Sequence, residues 1–166
     1  IGISKYPPVQ AKQAYEILKS AGVPCLISQY CYNMFNRAVE DETLALAASY
    51  GSGFISFSPL AQGLLTDKYL KGIPEHSRAA RSTGFLQLDQ VTDEKVYKAS
   101  RLNEMASRRG QTLAEMALAW ILRDERMTSV IVGASSVEQL SVNLRTLNNL
   151  DFTAEELSEI DEILRT

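Results

Sequence analysis

FISFSPLAQGLLTDKY, residues 54–69, changes character at its fifth residue. Phe54 to Phe57 make a short apolar run without strict polar alternation, which is how a strand buried on both faces of a parallel sheet reads. From Ser58 onward, Pro59, Gly63, Gly72 and Pro74 arrive with mixed charge, predicting a long surface loop over residues 59–91. A loop of that length inside a compact domain is more often functional than idle.

Working outward, residues 1–4, 25–28 and 130–132 read as three further strands of the same kind. Between the first two, Ala14, Ile17, Leu18 and Ala21 fall at helical spacing, with prolines ahead of them and Gly22 just past the end. Residues 43–50 predict a shorter helix closed by Gly51. The first three strands thus keep a regular strand–helix rhythm, which breaks at the long loop. Helices then return. Val96, Ala99, Leu102, Met105 and Ala106 share one face over residues 93–109. Capping boxes at Thr112/Glu115, Ser136/Gln139 and Thr153/Glu156 start three more helices: through 123, to about 147, and to the C-terminus. Trp120, Met105 and Met116 fall on apolar helical faces and read as core.

The composition narrows the classes. With 166 residues, 45% hydrophobic and 22% charged, the chain is expected to build an ordinary packed core. Its net charge of −3, with neither sign in a block, argues against a nucleic-acid partner or an anionic membrane surface. No apolar run approaches the roughly 20 residues of a membrane span. Cys25 and Cys31 match no zinc or redox spacing, and two unrelated buried thiols in a reducing, cytoplasmic compartment are expected, with no metal site. The chain opens on Ile1 and goes straight into a strand, so it reads as a piece of a longer polypeptide.

Four βα units with a long loop at a strand's C-terminal end suggest half of an eight-stranded (β/α)8 TIM barrel, since a whole one takes about 250 residues. The alternative is an open doubly wound sheet, which usually carries G-x-G-x-x-G after a strand. That fingerprint is absent.

Residue identities sharpen the choice. Residues 54–69 resemble the seventh-strand segment of aldo-keto reductases, in the branch holding bacterial glyceraldehyde-phosphate-type reductases and potassium-channel β-subunits. GISK at Gly2 resembles the family's fifth strand, SQYCYNMFNR at Ser28 its sixth, and SVIVGASSVEQLSVN at Ser129 its eighth strand and following helix. All four occur in the family's order. The resemblance implies an α/β fold in which residues 1–166 are the C-terminal half of one barrel, strands 5 to 8 with their helices. The cofactor-side loop would cover about 58–92.

It also implies a cofactor, an extended NADPH (NADP) lying across the barrel mouth. Carried over residue by residue, Ser4 and Lys5 lie beside the nicotinamide, Gln29 hydrogen-bonds its carboxamide and Phe57 stacks on its ring. Lys5 stands where the branch often has Arg or Asn. Ser58, Pro59, Leu60, Ala61 and Gln62 bring backbone donors to the pyrophosphate, and Lys68 and Arg78 add cations. Gly133 lets backbone approach the ligand. Ser135 and Ser136 sit at a helix start that favours a phosphate, and Gln139 and Asn143, one turn apart, offer amides to the 2′-phosphate and adenine. Val142 replaces the carboxylate that the family often sets before that Asn. On residues alone, Ser136 and Gln139 could simply cap a helix and Phe57 could be a core aromatic.

By the same resemblance, the family's general-acid Tyr, helped by Lys, Asp and usually His, belongs to the first four strands, so no catalytic residue is expected here. The lone His76 reads as a loop side chain. Two functions stay open. One is the NADPH-dependent reduction of a small carbonyl substrate, an aldehyde or ketone, by a full-length oxidoreductase whose isolated C-terminal half is inactive. The other is a regulatory NADPH-binding subunit of the channel type. The expected partners are the N-terminal half of the barrel and, failing that, a second copy in a homo-oligomer.

Overall fold

The computed structural model describes residues 1–75, 77, 79, 80 and 86–165. Among the described residues the α-helices and β-strands follow one another as β1 (Gly2–Ser4), α1 (Pro8–Ser20), β2 (Ile27–Cys31), α2 (Thr43–Ser49), β3 (Gly53–Phe57), α3 (Asp93–Arg108), α4 (Leu113–Leu122), β4 (Met127–Val130), α5 (Val137–Arg145) and α6 (Ala154–Arg165). The four strands form one parallel sheet in the order β1-β2-β3-β4, so strand order in space is strand order in sequence. No helix among the described residues is long and apolar enough to cross a membrane.

Two strands sit differently from their expected positions. β2 starts at Ile27 rather than residue 25, and β4 covers Met127–Val130 rather than 130–132. In both, polar residues inside the strand (Ser28 and Gln29, Thr128 and Ser129) hid it from an apolar-run criterion. β4 also meets β3 through a bulge: Phe54 pairs with Met127 and Ile55 with Ser129, leaving Thr128 unopposed. The Thr128 hydroxyl takes the Phe54 amide at 3.1 Å. A Cβ on Gly53 would lie 2.9 Å from that hydroxyl, which is why glycine stands there.

The chain divides into two compact units, Ile1–Pro59 with Ile121–Val132, and Leu60–Trp120 with Gly133–Thr166. In the first, alternation separates the sheet faces. Ser28, Tyr30, Phe54 and Ser56 are buried, whereas Ile27, Gln29, Cys31, Gly53, Ile55 and Phe57 are half-buried. Tyr15 of α1 identifies the buried face as the helix-covered one, since its hydroxyl lies 2.6 Å from Ser28 Oγ. Tyr30 and Phe54 stack in parallel at 5.1 Å between centroids. Cys25 is buried as expected, but Cys31 is only half-buried because it lies on the other face; both are free.

The second unit packs helices around Leu102, Met105, Leu113, Met116, Trp120 and Ile160, all nearly or fully buried. The boxes at Thr112/Glu115 and Thr153/Glu156 form as expected, each with reciprocal bonds. Two arginines at the end of α3 reach α6. Arg108 grips Glu159 with both carboxylate oxygens in the open, whereas the Arg109 side chain is 5% exposed and pairs with Glu156. Residues 59–91 are more than a surface loop: single 3-10 turns form at Ala61–Gly63, Asp67–Tyr69 and Leu88–Gln90, and Leu64, Leu65, Tyr69, Ala79 and Leu86 are buried. One-turn elements carry no periodicity to read in advance.

Candidate functional site

In the first unit, pairing sets Ser4 beside Gln29 and Cys31 beside Phe57. Gln29, at the middle of β2, and Phe57, at the C-terminal end of β3, share the half-buried face. The Gln29 carbonyl is doubly engaged, accepting from Ser4 Oγ at 3.0 Å and from the Lys5 amide at 3.1 Å. Its side-chain amide has no hydrogen bond among the described residues. The structure thus brings Ser4, Lys5 and Gln29 together and puts Phe57 on the Gln29 face.

Backbone strain marks the same positions. Among the described residues, four non-glycine residues have left-handed φ: Lys5 at 61°, Ser58 at 52°, Ala61 at 47° and Gln62 at 61°. All four belong to the set expected from sequence to touch a cofactor. Such conformations cost about 1–3 kcal/mol each and persist where tertiary bonds over-determine them. The bonds are present. Beyond Lys5, Tyr30 donates its hydroxyl to the Tyr6 carbonyl at 2.9 Å, and burial pushes that hydroxyl's pKa up to about 12, so it stays a donor. Beyond β3, Asn33 donates its side-chain amide to the Ser58 carbonyl at 2.9 Å. Around Ala61 and Gln62, the Gly63 and Leu65 amides return to the Leu60 carbonyl and the Leu64 amide to that of Ala61. Asn33 and Tyr30 lay inside a quoted motif, but no spacing rule singled them out.

In the second unit, Ser135, Ser136 and Gln139 come together at the start of α5. Ser136 Oγ accepts the Gln139 amide at 3.2 Å. The return bond of the expected box is displaced by one residue, because Gln139 Oε1 takes the Ser135 amide at 2.7 Å and the Ser135 hydroxyl at 3.1 Å. Asn143 stands apart, 7% exposed and with Nδ2 unpaired. Val142 beside it is half-buried. Gly133 has open space around a would-be Cβ, and Lys68 is exposed at the Asp67–Tyr69 turn. Arg78 and His76 lie outside the described residues. Among the described residues, no group of three or more His, Cys, Asp or Glu side chains is placed to hold a metal.

The sequence over residues 1–165 matches the aldo/keto reductase family. The chain belongs to that family. It is similar to L-glyceraldehyde 3-phosphate reductase of Escherichia coli O157:H7, 48% identical over 166 residues that make up 98% of this chain and 48% of the relative. It is likewise similar to the protein of that name in Escherichia coli strain K12, at 45% identity with the same coverage. The chain therefore spans about half the length of the curated relatives it matches.

Helix α5 is fixed to α4 by Glu115. This carboxylate, 8% exposed, accepts from the Thr112 amide and hydroxyl and from Arg145 Nε at 2.8 Å. Burial pushes its pKa up, but the Thr112 bonds and Arg145 more than reverse this and hold it below the ordinary 4.5. A depressed folded-state pKa stabilises above the unfolded value and is lost as pH falls through the folded one. The full-length protein should therefore lose stability on acidification below about pH 4.5. Glu115→Gln should flatten that part of the curve while lowering stability at pH 7. Urea midpoints across pH check this; an unchanged acid limb would show that Glu115 does not contribute to it.

Proposed function

We propose that residues 1–166 form the C-terminal half, strands 5 to 8, of a single (β/α)8 barrel, with residues 58–92 as the loop at its cofactor mouth. We further propose that the full-length protein reduces a small aldehyde or ketone with NADPH in the cytoplasm. The observation that carries this is the coincidence of backbone strain with the expected cofactor positions. Lys5 and Ser58 hold left-handed backbone directly after β1 and β3, and Ala61 and Gln62 do so in the turn that follows β3, on the side of the sheet where ligands bind in such folds. The two open sheet edges and the half-buried second face of the sheet add support for a half barrel.

In this proposal NADPH, when bound, supplies the hydride. Gln29, whose side-chain amide is uncommitted, holds the carboxamide, Ser4 and Lys5 line the same place, and Phe57 offers a ring to stack on. The Ser58–Gln62 backbone and Lys68 would serve the pyrophosphate, to which the resemblance also assigns Arg78. Ser135, Ser136 and Gln139 take the 2′-phosphate once Gln139 Oε1 releases Ser135. Gly133 keeps the approach clear, and Asn143 turns its unpaired amide to the adenine. The proton donor comes from the N-terminal half.

With the full-length protein, Ser135→Ala and Gln139→Ala should each weaken NADPH binding about tenfold, the value of one charge-assisted hydrogen bond, and leave NADH binding unchanged. Fluorescence titration reads this. Equal affinity for NADH in the wild type, with both variants silent, would overturn the assignment of the phosphate end. NADPH binding with no turnover of any small carbonyl would point instead to a regulatory subunit.

A further inference from the structure

The β2–β3 ladder ends at Cys31 and Phe57, yet the two strands stay joined past that point by side chains. Ser56 Oγ donates to the Tyr32 carbonyl at 2.7 Å, and Asn33 Nδ2 donates to the Ser58 carbonyl at 2.9 Å. Asn33 is 3% exposed and is fixed at its other end, where Oδ1 accepts the Phe35 amide at 2.9 Å in an Asx turn. Its backbone exchanges two hydrogen bonds with Asn36. The preceding Tyr32 is anchored too: its hydroxyl donates to Glu40 at 2.6 Å, and Arg37 pairs with the same carboxylate at 2.7 Å. Asn33 is thus a rigid arm reaching out of one strand end to the first left-handed residue after the next.

We infer that Asn33 is a positioning residue that holds Ser58 in its left-handed conformation and thereby presents the backbone leaving β3, at Ser58 and Pro59, to a dinucleotide pyrophosphate. The inference rests on the cofactor reading above. The strain of a serine at φ 52° is of the same order as one buried hydrogen bond, so the bond from Asn33 weighs in holding it. Among the described residues Asn33 makes no hydrogen bond to the expected nicotinamide residues Gln29 and Phe57. Its effect passes through Ser58.

The test uses the full-length protein, NADPH titration and thermal melting without ligand. Asn33→Ser keeps an acceptor for the Phe35 amide but is too short to reach Ser58. It is expected to weaken NADPH binding about tenfold and to raise KM for NADPH more than it lowers kcat. Ser58→Gly accepts the left-handed φ freely, so in that background the same change should alter affinity less than twofold. If Asn33→Ser alone lacks a cooperative melt, adding Ser58→Gly should restore it. Undiminished binding in Asn33→Ser overturns the inference. So does an equal loss in both backgrounds, or a double variant that still fails to melt cooperatively. Wild-type protein that does not bind NADPH overturns the cofactor reading and this inference with it.

Discussion

Arg109→Ala is expected to destabilise the full-length protein by about 3 kcal/mol, whereas Arg108→Ala, one residue earlier, costs about 1 kcal/mol or less. Both arginines make close ion pairs with α6, so geometry does not distinguish them. Environment does. The Arg108 and Glu159 side chains are 57% and 38% exposed, and water competes for both. Arg109 is 5% exposed, and besides Glu156 it donates to the Asp151 carbonyl at 2.8 Å and to Gln111 Oε1 at 2.9 Å, with its guanidinium 3.8 Å above the Phe152 ring. Removing it leaves several acceptors unsatisfied and one aromatic face uncovered. The loss stays near the lower end for a buried pair, because Glu156 is 26% exposed and keeps its bond from the Thr153 amide. Denaturant melts of the two variants side by side check this, and equal losses would show that burial is not what sets the strength of the pair.

The second large effect concerns residues 1–166 by themselves. They are expected to give no NADPH-dependent reduction of methylglyoxal or a nitrobenzaldehyde, and to gain it when joined to an N-terminal half that carries the proton donor. On their own they should also self-associate or bind a hydrophobic dye. β1 and β4 each have one neighbour among the described strands, which leaves two edges open. Ile1, Val9, Ile17, Leu26 and Ile131 are exposed in the first unit, and Val137, Leu140, Leu144 and Leu147 are exposed along α5 and the turn after it. On the half-barrel proposal, these edges and side chains would be covered by the other half. Sedimentation, dye binding and turnover decide it: a monodisperse, dye-silent monomer would refute the half-barrel proposal, and turnover by the piece alone would refute the assignment of the proton donor to the other half.

The helices were legible in the sequence because their signals are local. Thr112/Glu115 and Thr153/Glu156 announce a start in four residues, and Gly22 and Gly51 mark an end. β1 and β3 were legible as apolar runs, while Ser28, Gln29, Thr128 and Ser129 disguised β2 and β4. Members of the candidate site could be named by resemblance, but what holds them could not. Ser58 is an ordinary residue for extended chain, yet it is left-handed and its carbonyl is met by Asn33, twenty-five positions away, whereas the bonds around Ala61 and Gln62 are local turn bonds. Nothing local in composition encodes a constraint of that range. Gln139 failed for a subtler reason: two acceptable donors, the Ser135 and Ser136 amides, lie one residue apart, and only the folded turn selects between them.

The bulge in β4 bears on which length changes the sheet can absorb. In β2 and β3 the pairing is regular from Ile27 and Gly53 to Cys31 and Phe57, so deleting one residue would carry every later side chain to the opposite face. β4 already holds one residue more than its partner needs. Losing Thr128 would leave Met127 opposite Phe54, Ser129 opposite Ile55 and Val130 opposite Ser56, the pairing they have now. The Phe54 amide would forfeit its side-chain acceptor and find a regular strand beside it instead, and the space that Gly53 keeps for that hydroxyl would come free for a larger residue. Shortening by one residue is thus a step open to the fourth strand and closed to the two before it.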